Sequence, residues 1–201
     1  MRIVAGKFRR RKLLSPPGLD TRPLPDRVKE MLFARLEEAV VEARVADLFA
    51  GTGTIGLEAL SRGARSVVFV EKDRRAVRLL RKNVASLGVQ KQCLCWCTDV
   101  LTSSLRPKGV EPMLPYEVIF VDPPFDLISE LKQRGRLYRP MFRLARETVS
   151  SAAALLILRT PRRAEFQMPH VWEPVERIRL NNMQLHLFRK ANDSNEEVAS
   201  S

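Results

Sequence analysis

The stretch of residues 47–58 constrains the fold of this chain more than any other, because it combines a strand end, a glycine turn and a helix start. An apolar run precedes the turn and ends at Leu48, and a helical pattern follows it as far as Arg62. Gly51 and Gly53 allow positive φ angles and the close approach of a ligand to the backbone. The free N–H groups at the start of the helix favour a polar or negatively charged ligand group.

Two acidic residues distinguish this G-x-G-x-x-G turn from the dinucleotide-binding turn of nicotinamide and flavin folds. Asp47 precedes the first glycine at the strand end, where a carboxylate would repel a pyrophosphate and attract the ammonium of an amino acid. Glu71 ends the next apolar run about 20 residues further on, where a ribose diol is usually bound. S-adenosylmethionine carries a ribose and an amino acid but no phosphate, and we therefore predict it as the cofactor.

Strand and helix patterns alternate along most of the chain, which predicts an α/β fold with a mostly parallel sheet and helices on both faces. The predicted strands span residues 45–49, 66–71, 92–97, 116–121 and 153–158, followed by a closing hairpin of residues 175–180 and 183–188. The predicted helices span residues 26–41, 54–61 and 74–87, and a longer helical region spans residues 127–149 with a break near Gly135 or Pro140.

Four acidic residues fall at the carboxyl ends of successive predicted strands: Asp47, Glu71, Asp99 and Asp122. Because ligands of parallel sheets bind at this edge, we expect the four carboxylates to line one site. Acidic residues that merely solvate the surface would not be expected at the end of each successive strand.

The sequence Asp122-Pro123-Pro124-Phe125 suits chemistry on the exocyclic amine of a nucleobase. Such an amine is a poor nucleophile, because its lone pair is delocalised into the ring. The Asp122 carboxylate and the Pro123 carbonyl can accept hydrogen bonds from both N–H groups, and the two prolines fix the direction of these acceptors. Phe125 offers a face for stacking of the target base, which must leave its helix or loop to reach the site.

The charge distribution indicates a polyanionic partner. Lys and Arg number 35 against 23 Asp and Glu, which gives a net charge of +12, and residues 1–12 carry six bases and no acid. Nucleic acid is the common partner of such a cluster, and the alternative is a soluble basic protein without a polyanionic partner. We expect residues 1–24 to form a basic hairpin around Phe8 that grips a phosphate backbone; the alternative is a solvated extension that packs on the main domain.

Length and cysteine usage set further bounds. We expect a basic extension (residues 1–24), one main domain (25–190) and a disordered acidic tail (191–201). Cys93, Cys95 and Cys97 share one strand face, and without a fourth ligand nearby we interpret them as buried thiols rather than a metal site. An odd number of cysteines favours a reducing cytoplasm, and no apolar run is long enough to predict a membrane span.

The chain resembles a known enzyme family over roughly residues 1–126. The motif at 122–125 is similar to that of amino-methyltransferases acting on adenine, cytosine or guanine amines. The front of the chain is similar to bacterial 16S rRNA guanine-N2 methyltransferases of the RsmD type, in residues 1–7, 11–13, 21–23, 26–30, 47–53 and 56–64. Leu24-Pro25 departs from the family pattern, and residues 102–115 match it poorly.

The resemblance implies a class I S-adenosylmethionine-dependent methyltransferase fold with seven strands, a small N-terminal hairpin and a guanine in small-subunit rRNA as target. The substrate would be 16S rRNA or an assembly intermediate of the small ribosomal subunit. Carried over by motif, the expected cofactor residues are Asp47, Gly51 and Gly53 at the methionine part, Glu71 at the ribose and Asp99 at the adenine amine, with the neighbouring Phe49, Lys72 and Val100. The expected residues at the target base are Asp122, Pro123, Pro124 and Phe125, and the expected RNA contacts are Lys7, Arg9, Arg10, Arg11, Lys12 and Arg22.

Three other readings stay open at the level of sequence. An adenine-N6 DNA or RNA methyltransferase would use the same Asp-Pro-Pro-Phe chemistry. A ribosome assembly factor that binds RNA without catalysis could retain the fold, although four intact carboxylates argue against lost chemistry. A nicotinamide dehydrogenase is disfavoured by Asp47.

Overall fold

The computed structural model of the protein describes residues 1–15 and 24–191. These residues form one seven-stranded sheet with the strand order β3-β2-β1-β4-β5-β7-β6. The strands are β1 (Arg44–Leu48), β2 (Ser66–Glu71), β3 (Cys93–Cys97), β4 (Tyr116–Val121), β5 (Ser150–Pro161), β6 (Trp172–Arg179) and β7 (Met183–Lys190). The first five strands are parallel, and β7 pairs antiparallel with β5 and β6. The predicted mostly parallel sheet with a C-terminal hairpin is confirmed.

Helices cover both faces of the sheet. They are α1 (Asp26–Arg35), α2 (Glu37–Val40), α3 (Thr54–Ser61), α4 (Arg74–Leu87) and α5 (Tyr138–Leu144), with short 3-10 turns at Gln90–Gln92, Glu111–Met113 and Phe125–Glu130. Alternate residues of the central strands enter two separate hydrophobic clusters, one on each face. The strand order reverses between β1 and β4, so the carboxyl ends of these strands flank a crevice.

Several predicted boundaries are wrong in detail. β1 ends at Leu48 because Phe49 has a φ of 61°, and β5 is longer than the predicted strand. The predicted helix of residues 26–41 is interrupted at Leu36, which separates α1 from α2. The long helical region is replaced by the 3-10 turn and α5. The break lies at Gly135, whereas Pro140 lies in the first turn of α5, where a missing N–H leaves no hydrogen bond unmade.

Other local predictions are confirmed. The Asp73 carboxylate caps α4 by accepting hydrogen bonds from Arg75 N at 2.6 Å and Ala76 N at 3.2 Å. Gly88 ends that helix with a φ of 71°. The β6–β7 hairpin turns at Asn181-Asn182 and is closed by the hydrogen bond from Leu180 N to Met183 O at 3.0 Å.

The three cysteines are free, and only two of them agree with the predicted buried thiols. Cys93 and Cys95 are half-buried against the hydrophobic cluster under α4, and burial raises the pKa of both thiols. Cys97, at the end of β3, is exposed, so the prediction is wrong there. Within residues 1–15 and 24–191, no group of three His, Cys, Asp or Glu residues could hold a metal ion. No helix in the same residues is long and apolar enough to cross a membrane.

Residues 1–15 pack on the main body of the protein. The two predicted strands of the basic hairpin are reduced to a single bridge between Arg2 and Lys12. Ile3 and Leu13, one on each side of the turn, are 1% and 5% exposed and join the hydrophobic cluster that contains α3. These two buried side chains attach the segment to the main body.

A buried carboxylate on α3 fixes this N-terminal segment. Glu58 is fully buried, and its oxygens accept hydrogen bonds from Val4 N at 2.8 Å and Ala5 N at 3.0 Å. Arg62 Nε lies 2.9 Å from Glu58 Oε1, and Lys29 Nζ lies 3.9 Å from Oε2. The carboxylate therefore joins α1, α3 and the N-terminal segment.

Gly6 lets the segment approach α3 closely. It has a φ of 77°, and a Cβ there would lie 1.8 Å from the carbonyl oxygen of Ser61. The next two residues bond to the same serine: Lys7 N donates to Ser61 O at 2.7 Å and Phe8 N to Ser61 Oγ at 2.9 Å. Any side chain at position 6 would disrupt this contact.

Candidate active site at the carboxyl edge of the sheet

Asp47 joins the end of β1 to the start of α3. Its side chain is buried, and Oδ2 accepts a hydrogen bond from Gly56 N at 2.9 Å. A Cβ at position 56 would lie 3.0 Å from that oxygen and 2.4 Å from the Phe69 ring, so glycine permits the approach of helix to strand. Burial raises the pKa of Asp47 to about 7, against the opposing effect of the Gly56 hydrogen bond.

The glycine turn has the positive φ angles predicted at Gly51 and Gly53, and Phe49 adds one that was not predicted. Phe49, Gly51 and Gly53 have φ angles of 61°, 55° and 83°. A Cβ at Gly53 would lie 2.3 Å from the Leu80 side chain, so this glycine permits packing on α4. No heavy atom lies within 4 Å of a Cβ at Gly51, which leaves open space beside the backbone. Gly51 is therefore the position where a ligand can approach the turn.

Glu71 links the glycine turn to the loop after β2. Its Oε2 accepts a hydrogen bond from Gly51 N at 2.9 Å, and its Oε1 accepts one from Asp73 N at 2.7 Å. Each oxygen keeps a further lone pair for a ligand hydroxyl. The adjacent Lys72 side chain is exposed, and its Nζ lies 4.0 Å from Asp99 Oδ2.

Asp99 follows β3 on the same edge. Its Oδ1 accepts a hydrogen bond from Leu101 N at 2.9 Å, while Val100 is 2% exposed in the hydrophobic cluster under α5. Asp47, Glu71 and Asp99 thus end three adjacent strands in the order β1-β2-β3, beside the glycine turn. The predicted cofactor residues lie at one edge of the sheet.

Three observations at this edge fit the predicted cofactor. Asp47 Oδ1 is buried without a hydrogen-bond partner in the part of the chain that the structure describes, which suits an ammonium donor. The open space at Gly51 leaves room for a ligand beside the backbone. The Glu71 carboxylate, held from two sides, is oriented for a diol.

Asp122 ends β4, next to β1 in the sheet. Its backbone N donates to Leu48 O at 3.3 Å, which places Asp122 directly beside the glycine turn. The Asp122 side chain is 21% exposed, and its Oδ1 forms an ion pair with Arg159 Nε at 2.9 Å. Burial raises the pKa of Asp122 to about 6, and the guanidinium of Arg159 opposes this shift. At neutral pH the carboxylate is therefore mostly ionised.

Arg159 is the functional candidate that the sequence analysis missed. It stands near the carboxyl end of β5, is 9% exposed, and places its Cζ 5.1 Å from the centre of the Phe125 ring. A single guanidinium therefore contacts both ends of the Asp-Pro-Pro-Phe motif. Phe125 starts the 3-10 turn and is 38% exposed, which leaves ring surface for a base.

A signal for Arg159 was present in the sequence. It is a charged residue that directly follows the apolar run of residues 154–158 at the carboxyl end of a predicted strand. The four acids were selected because each follows the carboxyl end of a predicted strand. The same criterion applied to basic residues would have included Arg159.

The predicted RNA contacts lie elsewhere. Lys7, Arg9, Arg10, Arg11 and Lys12 are exposed on the N-terminal turn, and Arg22 lies outside the described residues. This turn bonds to Ser61 at the last residue of α3, whereas the glycine turn leads into the first residue of that helix. The two sites are therefore separated by roughly 10 Å along the helix axis. The structure does not bring the basic turn to Asp122.

Comparison with known proteins agrees with this geometry. A family model described as Conserved hypothetical protein 95 matches residues 1–189. Ribosomal RNA small subunit methyltransferase D of Escherichia coli K12 is 41% identical over 125 residues, which are 62% of this chain and 60% of the relative. The Haemophilus influenzae protein of the same name is 40% identical over 131 residues, 62% of this chain and 64% of the relative. The chain thus spans less than two thirds of the length of these curated relatives.

Solved structures extend the likeness over nearly the whole chain. An Escherichia coli structure described as a candidate methyltransferase, yhhF, has a TM-score of 0.78 at 30% identity and covers 96% of this chain and 98% of its own. An RNA methyltransferase from Salinibacter ruber, in complex with S-adenosyl-L-homocysteine, has a TM-score of 0.61 at 19% identity and covers 89% and 97%. The class I methyltransferase fold and the resemblance to RsmD-type proteins are confirmed. This chain belongs to the Conserved hypothetical protein 95 family.

Proposed function

We propose that this protein transfers a methyl group from S-adenosylmethionine to the N2 amine of a guanine in 16S rRNA. The observation that carries this proposal is the Asp122 side chain, paired with Arg159 and followed by an exposed Phe125, beside a glycine turn. The names of the relatives, ribosomal RNA small subunit methyltransferases, support small-subunit rRNA as the substrate.

The cofactor supplies an electrophilic methyl group on a positively charged sulfur. Asp47, Gly51 and Gly53 would hold its methionine part, Glu71 its ribose and Asp99 its adenine amine. Phe49, Lys72 and Val100 would flank it in the same loops. The unpartnered oxygen of Asp47 and the open space at Gly51 support this assignment.

The residues at the target base act on the amine. The Asp122 carboxylate and the Pro123 carbonyl accept hydrogen bonds from the two N–H groups, which draws the nitrogen lone pair away from the ring. As the N–C bond forms, the nitrogen loses one proton. Asp122, with a pKa of about 6 and a partly exposed side chain, can take that proton and release it to solvent.

Arg159 positions both ends of the motif. Its ion pair orients the Asp122 carboxylate, and its guanidinium lies against one face of Phe125. A base can then stack on the opposite face, with Pro123 and Pro124 fixing the spacing between ring and carboxylate. The flat guanidinium performs both contacts, which a lysine could not do.

Guanine suits this site better than adenine does. Beside its N2 amine, guanine presents N1–H, so two neighbouring donors face a group that can only accept. Adenine presents the acceptor N1 beside its amine, and an ionised carboxylate would repel it. The Arg159 ion pair, which favours the ionised form of Asp122, therefore supports guanine as the target.

The substrate would be 16S rRNA, free or within an assembly intermediate of the small ribosomal subunit in the cytoplasm. The exposed Lys and Arg side chains of the N-terminal turn would contact RNA phosphates at a distance from the target nucleobase. These contacts would strengthen RNA binding without choosing the target.

Transfer of labelled methyl from S-adenosylmethionine to unmodified 16S rRNA, and separately to small subunits, tests the proposal. Digestion to nucleosides should place the label in N2-methylguanosine. Label in N6-methyladenosine would keep the fold and the cofactor but overturn the target. Absence of cofactor binding by calorimetry would favour the assembly factor.

A further inference from the structure

A basic cleft of about 800 Å³ lies beyond the carboxyl end of β5, between residues 162–166 and the β6–β7 hairpin. Arg162 anchors the loop above the cleft: its N donates to Asn182 O at 3.3 Å, and its carbonyl oxygen accepts from Gln184 Nε2. Ala164 N donates to Pro161 O at 3.2 Å and closes the turn. The cleft is therefore built by hydrogen bonds between the loop and the hairpin.

The floor of the cleft is aromatic. The Phe166 ring meets the His186 ring edge to face, with centroids 4.9 Å apart, and His186 is stacked near Phe188 with centroids 6.3 Å apart. His186 Nε2 lies 3.1 Å from Thr160 Oγ1, which fixes the imidazole plane. Burial lowers the pKa of His186 to about 4, so the ring is uncharged at neutral pH. Flat uncharged rings of this kind are stacking surfaces for unpaired bases.

The walls of the cleft carry an excess of positive charge. Arg162, Arg163 and Arg177 are exposed there, and none of the three forms an ion pair within the described residues. Two acidic residues, Glu165 and Glu176, also line the cleft. Glu176 forms an ion pair with Arg35 of α1 at 2.9 Å, whereas Glu165 forms none among the described residues. Guanidinium groups that form no ion pair, placed beside flat rings, complement the phosphates and nucleobases of a nucleic acid strand.

The cleft and the candidate active site both lie at the carboxyl end of β5. Arg159, which contacts Asp122 and Phe125, precedes Arg162 by three positions, which corresponds to roughly 10 Å of extended chain. A strand of RNA whose target base reaches Asp122 would enter the cleft by crossing this end of β5. The basic N-terminal turn, by contrast, lies at the far end of α3.

We infer that this cleft binds the single-stranded RNA that flanks the target base, with Phe166 and His186 contacting a base and Arg162, Arg163 and Arg177 contacting phosphates. The inference rests on the proposed function, since it takes RNA as the substrate. It assigns RNA binding to a surface that the sequence analysis left without a role, at Arg162, Arg163 and Phe166.

Binding of a 16S rRNA transcript and its methylation, measured separately, test this site. The double variant Arg162→Glu/Arg163→Glu should lower the affinity for the transcript at least tenfold at about 0.1 M salt, with a shallower salt dependence. The matched control Arg78→Glu/Lys82→Glu makes the same charge change on the exposed face of α4.

Phe166→Leu keeps an apolar side chain and removes the flat ring, and it should raise KM for RNA several-fold. For all variants, kcat at saturating RNA and the Kd of S-adenosylmethionine should stay within about twofold of wild type. The temperature midpoint of unfolding should stay within about 2 °C of wild type.

Equal behaviour of the cleft variants and the control would overturn the inference. So would unchanged binding of the transcript together with weakened binding of small subunits, because the cleft would then take a protein. If the wild-type protein binds the transcript through the cleft yet produces no N2-methylguanosine, the proposed function fails and the cleft assignment stands.

Discussion

Glu58 and Asp122 are both carboxylates that face a guanidinium, yet they differ in hydrogen bonding and in access to solvent. The Glu58 side chain is fully buried and is bonded by two backbone N–H groups as well as by Arg62. The Asp122 side chain is 21% exposed, and Arg159 is its charged neighbour at 2.9 Å. One carboxylate is enclosed by donors, and the other is open on one side.

The hydrogen-bonding capacity that a carboxylate has left distinguishes structural acids from candidate catalytic acids in this fold. A carboxylate whose oxygens are satisfied by the protein has no capacity left for a substrate, and it stabilises the fold. A carboxylate that is partly buried, raised in pKa and accessible keeps lone pairs for a substrate. On this criterion Glu58 holds the N-terminal segment, and we propose that Asp122 acts on the base.

The largest expected effect on stability follows from removing Glu58. Glu58→Ala leaves the N–H groups of Val4 and Ala5 without their buried acceptor and Arg62 without its ion pair, and should lower the free energy of unfolding by about 3–5 kcal/mol. Urea denaturation followed by circular dichroism measures this loss. The control Glu42→Ala breaks an exposed ion pair with Arg65 and should change stability by less than about 0.5 kcal/mol. Similar values for the two variants would remove the distinction between enclosed and open acids.

Replacing Arg159 should weaken catalysis more than binding. Arg159→Leu removes the ion pair to Asp122 and the contact with Phe125, and kcat should fall about 10- to 100-fold because both groups lose their orientation. Arg159→Lys should recover only part of this loss, since an ammonium cannot pair and stack at once. Single-turnover rates and the Kd of the cofactor separate the two effects. A change confined to the Kd would assign Arg159 to the cofactor site.

The pH dependence of kcat should report Asp122. Its pKa is raised to about 6, so the acceptor form is lost as pH falls through that value, and kcat should drop about tenfold per pH unit below it. In Arg159→Leu the acid limb should move to higher pH, because the guanidinium no longer favours the carboxylate. The measurement needs saturating cofactor, since Asp47 has a pKa of about 7 and would act through cofactor binding. An acid limb that does not respond to Arg159 would belong to another group.

The smallest expected effect concerns the N-terminal turn. The triple variant Arg9→Ala/Arg10→Ala/Arg11→Ala should weaken RNA binding several-fold and flatten its salt dependence, because fewer counterions are released. The rate of methyl transfer at saturating RNA should not change, since the turn lies roughly 10 Å along α3 from the glycine turn. Filter binding across a salt series gives the slope. A slope equal to that of wild type would remove the turn from the RNA footprint.

Much of this arrangement could be predicted from the sequence. The period of apolar residues located the seven strands, and the acids at their carboxyl ends predicted the sheet edge where the candidate site lies, since both signals are local in the chain. The break at Leu36 was not predicted, because the apolar spacing continues through it. The break at Gly135 was predicted as one of two alternatives, since glycine and proline both interrupt a helical pattern. Glu58 was missed because its partners Val4 and Ala5 are far away in the sequence, and periodicity does not reveal such contacts. Arg159 was missed because the search for charged residues at strand ends was limited to acids.

The assignment of Asp122 to the target base is best tested by single-turnover methyl transfer with Asp122→Ala, together with the Kd of S-adenosylmethionine on the same preparation. We expect a rate about 10²- to 10³-fold below wild type, the loss expected when a preorganised transition-state contact is removed. The cofactor Kd should stay within twofold, because Asp122 is assigned to the base amine. A rate close to wild type, or a lost rate with equally lost cofactor affinity, would contradict the assignment of Asp122 to the target base.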